Sequence, residues 1–90
     1  MTALKFSGAE QEDAYHLWRN EHPTLFVLNT YLQPKAAYLV LHSASSRCVA
    51  MQNPTRLYSK ICGTRDEIED FVTGEFGMGT SPRPCTRCLR

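Results

Sequence analysis

Apolar positions along this chain switch their spacing several times, and each switch marks a new element. Ala14, Leu17 and Trp18 recur at helical spacing behind Ser7 and Glu10, which together fit a capping box. Glu10, Glu12 and Asp13 fall in the first turns, where the helix dipole favours acids. Pro23 forces His22 out of the helical region. These signals predict a helix over residues 8–21 that carries Tyr15 and Trp18 as anchors. The apolar, β-prone runs at 25–28 (LFVL) and 38–41 (YLVL) are separated by a polar stretch with Pro34 and Lys35. They predict a hairpin of two central strands.

Residues 47–51 predict a third strand after the serine-rich turn at 43–46, and Asn53-Pro54 marks the next turn. Residues 57–62 (LYSKIC) alternate with period two and predict a fourth strand. Gly63 breaks it, and Thr64 with Glu67 forms another capping box. Ile68, Phe71, Val72 and Phe76 then supply the apolar face of a helix over 65–75. Glycines at 74, 77 and 79 stop this helix, and Ser81-Pro-Arg-Pro84 is an extended, stiff lead into Cys85. The expected fold is α+β: a small antiparallel sheet of three to four strands, two helices on one face, and a C-terminal tail.

With 90 residues there is room for one core, so residues 1–90 form a single domain. The composition, 42% hydrophobic and 21% charged, is that of a globular chain. The longest apolar runs, at 25–28 and 36–41, are far shorter than the ~20 residues that span a bilayer. The opening MTALKFSGAEQEDAYHLW lacks the basic start, apolar stretch and cleavage site of a signal peptide. A cytoplasmic location is therefore expected, where thiols stay reduced and cysteine clusters more often bind metal than pair.

The net charge of +1 does not by itself argue for nucleic acid. Its distribution says more. In residues 46–90 the acids Asp66, Glu67, Glu69, Asp70 and Glu75 crowd into one helix and its end. Arg47, Lys60, Arg83, Arg87 and Arg90 are left among the cysteine-bearing segments. Such cations either offset the negative charge of a thiolate-bound metal or contact phosphates.

The four cysteines carry the clearest chemistry. Cys85-Thr-Arg-Cys88 is a Cys-x-x-Cys turn, which presents two sulfurs to one ion. Cys48 at the start of the third predicted strand and Cys62 at the end of the fourth would meet at one sheet edge. A structural zinc ion held by Cys48, Cys62, Cys85 and Cys88, clasping the tail, is the expected arrangement. His42 is the rival ligand, replacing Cys48 or Cys62, and otherwise a half-buried strand-end histidine. His16 and His22 have no metal-like spacing. A redox dithiol needs a helix after its first cysteine to lower that thiol's pKa, and only Leu89 and Arg90 follow Cys88. Two disulfides would suit a secreted protein, and an iron–sulfur cluster also takes four thiolates.

His22-Pro-Thr-Leu-Phe-Val-Leu-Asn29, Tyr38-Leu-Val-Leu-His42, Tyr58-Ser-Lys-Ile-Cys62 and the Cys-x-x-Cys together resemble a group of small bacterial domains. Those domains share HPxGFVLN and LHxAxC stretches, a lysine-x-cysteine strand end and a terminal CxxC. The resemblance covers the chain from Trp18 onward and implies that Cys48, Cys62, Cys85 and Cys88 act as one set. Leu25 stands where the group has glycine, and the gap from His42 to Cys48 is longer.

No catalytic constellation emerges: no glycine loop opens a helix, and no serine sits in a nucleophile elbow. A four-thiolate zinc is coordinatively closed and hence structural. The expected function is a small, non-catalytic zinc-binding module that meets nucleic acid through Arg47, Tyr58, Lys60, Arg83, Arg87 and Arg90. A protein–protein adaptor and a hydrolase using His42 are the alternatives.

Overall fold

The computed structural model describes residues 3–45 and 54–86. The predicted third strand, 47–51, lies outside them, as do Arg47, Cys48, Arg87, Cys88 and Arg90. The described elements are β1 (Leu4–Phe6), a 3-10 turn (Ala9–Gln11), α1 (Glu12–Glu21), β2 (Phe26–Tyr31) and β3 (Val40–Ser43). They continue with β4 (Tyr58–Gly63), α2 (Arg65–Phe76) and β5 (Arg83–Pro84). The class is α+β as expected, but the sheet is five-stranded and mixed, in the order β1-β4-β2-β3-β5. Two short strands invisible to periodicity account for the difference. β1 pairs antiparallel with β4, and β5 pairs parallel with β3.

The helices also depart from expectation, because they cover opposite faces. Opposed residues on neighbouring strands share a face, and alternate residues along a strand share it. Val27 and Cys62 are opposed on β2 and β4 and pack with Tyr15 and Trp18 of α1. Leu28 and Ile61, one position along, face the other way and pack with Ile68 and Val72 of α2. Residues 27–30 of β2 and 59–63 of β4 are consequently buried without interruption. This is the pattern of strands covered on both sides.

Helix starts are set locally. Ser7 and Glu10 do not form the expected box: Gly8 occupies the cap position with no side-chain bond, and the Ser7 N–H donates to Gln11 Oε1 at 2.8 Å. Of the apolar α1 positions, Tyr15 and Trp18 are buried, whereas Leu17 is 59% exposed. The second box forms as predicted. Glu67 N donates to Thr64 Oγ1 at 3.1 Å, and Thr64 N donates to Glu67 Oε1 at 2.9 Å. Replacing Thr64 with Ala removes one of these bonds and should cost about 1 kcal/mol in thermal or urea unfolding.

Candidate functional site

The α1 face of the sheet is organised in three rows that run across the strands. The first contains Leu4, Cys62, Val27 and His42, with Cys85 level with His42 one step past the Leu41–Pro84 pair. The second contains Phe6, Lys60, Asn29, Val40 and Arg83. The third contains the opposed pair Tyr58 and Tyr31, with Tyr38 just ahead of β3. Going down the rows, the centre of the surface changes from Val27 and Cys62 under α1, through the buried polar pair Lys60 and Asn29, to the tyrosines at the end of the sheet.

Lys60 and Asn29 dominate the middle row. Both are fully buried, and Lys60 Nζ donates to Asn29 Oδ1 at 2.6 Å. The ammonium also stands 5.5 Å from the centre of the Tyr15 ring, a cation–π contact. Burial is the largest influence on its pKa and lowers it from 10.5 to about 8. Asn29 Nδ2 in turn donates to the Tyr38 hydroxyl at 2.9 Å. Burial raises the pKa of Tyr38, and the nearby Arg83 charge opposes that rise. The Tyr38 ring centre is 5.2 Å from that of Tyr31 and 6.1 Å from that of Tyr58.

Tyr15 is fully buried. Burial pushes its pKa up. Arg19 stacks over the same ring at 5.7 Å and donates from Nε to Ala44 O at 3.0 Å. Glu12 accepts from Thr55 N at 2.8 Å, which ties the residues before β4 to the start of α1.

The predicted ligands are distributed unevenly. Cys62 is buried in the α1-side cluster, where burial drives its thiol pKa upward and leaves it protonated. Cys85 is half-buried, and its N–H donates to Leu41 O at 2.8 Å. Cys62 and Cys85 are thus separated by three inter-strand spacings, roughly 14 Å. Sulfurs that share one zinc lie within about 4 Å of each other, given Zn–S bonds of about 2.3 Å. The pairing expected to set Cys62 beside Cys48 has no edge of β4 to use, since β1 and β2 occupy both. Among the described residues, no group of three or more His, Cys, Asp or Glu is placed to hold a metal ion.

His42 is fully buried, and its pKa is lowered to about 4 by burial first and then by the Lys60 and Arg19 charges. At neutral pH its imidazole is uncharged. The predicted binding surface also needs correction. Lys60 is not a surface cation, because its whole side chain is enclosed. Arg83 is exposed on β5, and Tyr58 is half-buried. Tyr31, Tyr38 and Asn29 were not singled out by sequence. The available signal was a polar Asn29 directly following an apolar central run.

None of the described helices is long and apolar enough to cross a membrane. Comparison with known proteins finds no family model, no curated protein and no solved structure that matches the chain.

Proposed function

We propose that this chain is a small non-catalytic module that binds single-stranded nucleic acid on the tyrosine row of the α1 face. The observation that carries this reading is the contact series Tyr31–Tyr38–Tyr58, with Arg83 on the adjoining edge strand. Tyr31 is 45% exposed, so an aromatic face is offered to a base. Bases stack on such rings without regard to sequence, and a duplex, whose bases are already stacked, does not use them. A neighbouring arginine supplies the phosphate contact that makes the interaction salt-dependent.

A zinc clasp on the C-terminal segment completes the reading. Its donors in this proposal are His42 and Cys85, level across β3 and β5, together with Cys48 and Cys88 from outside the described residues. Cys62 is left as a core thiol. The separation of Cys62 from Cys85 supports this ligand set over one made of four cysteines. The resemblance to small bacterial domains fits too, because its shared Asn29, His42, Lys60 and Cys62 positions all fall on the α1 face.

Fluorescence anisotropy with labelled 10-nucleotide oligothymidylate and a matched duplex at low salt tests the binding. The single strand should bind more tightly than the duplex. Tyr31→Ala should weaken it by roughly 5- to 150-fold, the equivalent of about 1–3 kcal/mol of stacking. Absence of single-strand binding at low salt, or an unaffected Tyr31→Ala, would remove this function.

A further inference from the structure

The buried middle row dictates which way the Tyr38 proton points. A lysine ammonium has three donors and no acceptor, so the group facing it across 2.6 Å must be the Asn29 carbonyl oxygen. The reversed amide would set donor against donor. With Oδ1 committed to Lys60, the NH2 end of Asn29 faces Tyr38 at 2.9 Å. An amide nitrogen accepts no hydrogen bond, so the Tyr38 oxygen must accept from it. The hydroxyl proton is therefore not spent on Asn29. Tyr38 is half-buried, its ring centre lies 5.2 Å from that of Tyr31 and 6.1 Å from that of Tyr58, and the Arg83 charge acts on its hydroxyl.

We propose that the Lys60–Asn29 pair holds Tyr38 as an outward hydrogen-bond donor, which works with Arg83 to bind a phosphate of the strand stacked on Tyr31 and Tyr58. This rests on the single-strand reading above and adds a residue that fixes the strand's position. Lys60 and Asn29 act through Tyr38 and are positioning residues that never touch the ligand.

The probe is the same 10-nucleotide oligothymidylate. Y38F keeps the ring and removes only the proton, so affinity should fall about tenfold while the slope of log K against log salt stays unchanged. R83Q should reduce that slope by about 0.7, the value for one phosphate contact on a single strand. N29D supplies the decisive arm. Its carboxylate keeps the bond to Lys60 but accepts from Tyr38, turning the proton inward. N29D should therefore weaken binding by about tenfold on its own and by much less in the Y38F background. Equal losses from N29D in both backgrounds, or a Y38F protein that binds like the parent, overturn the proposal. If the parent binds the oligomer and Tyr31→Ala weakens it while Y38F is silent, only this inference falls. If the parent does not bind, the single-strand reading falls with it. Thermal melts confirm that each variant is folded.

Discussion

Replacing Asn29 with Ala is expected to destabilise the fold by about 2–4 kcal/mol, because a buried ammonium loses a hydrogen-bond acceptor. The loss does not come from the hydrogen bond alone, which contributes about 1.5–3 kcal/mol when one partner is charged. Lys60 is fully enclosed, so removing Asn29 Oδ1 strips a buried ammonium of its 2.6 Å acceptor. A ceiling exists, because the amine can shed its proton; with its pKa already lowered to about 8, doing so in the folded protein at pH 7 costs only about 1.4 kcal/mol, to which the lost neutral bonds add. The prediction includes its own control. In a Lys60→Met background there is no charge to strand, and Asn29→Ala should cost about 1–2 kcal/mol, the contribution of its bond to Tyr38. Urea unfolding of the four proteins measures the coupling. Equal costs for Asn29→Ala in both backgrounds would show that Lys60 does not depend on this acceptor.

Local signals in the sequence were sufficient for most elements. Thr64 and Glu67 specified the start of α2, Ile68 and Val72 its buried stripe, and the 25–28 and 38–41 runs a hairpin at the centre of the sheet. The two-faced burial was legible as well but was read as one-faced. Phe26, Val27 and Leu28 are consecutive apolar residues, and a strand covered on only one side would alternate instead. β1 and β5 escaped because two or three residues cannot display a period. Leu4–Phe6 and Arg83–Pro84 are strands only because β4 and β3 offer them unpaired edges.

The candidate site was less legible, for a related reason. Lys60 read as a surface cation because lysine is almost never enclosed without a partner. Its partner, Asn29, lies thirty-one positions away on β2 and becomes a neighbour only through the β2–β4 register. The tyrosine row has the same origin: Tyr31 and Tyr58 are opposed by that register, while Tyr38 arrives from the loop before β3. Stacking surfaces and buried pairs of this kind are properties of strand order. Strand order was the part of the fold that the short edge strands concealed.

The same strand order governs the test of the proposed zinc clasp. Protein purified reduced and without added zinc should carry one zinc per chain by native mass spectrometry and elemental analysis. Stripping it should have a large effect, since structural zinc contributes on the order of 10 kcal/mol in small sites. Cys62→Ala separates the two ligand sets. Cys62 packs with Tyr15, Trp18, Val27 and Ala44, so its replacement leaves a small cavity and lowers stability by about 1 kcal/mol. With the metal on His42, Cys48, Cys85 and Cys88, Cys62→Ala keeps full zinc occupancy and the parent's sensitivity to chelator. Cys85→Ser and His42→Ala both lose the ion. Loss of zinc from Cys62→Ala would instead require the sheet to bring together two cysteines that its register sets three strands apart. A folded, reduced protein without metal would rule out the clasp under either ligand set, leaving β5 held by its ladder to β3 and the Cys85 N–H bond to Leu41.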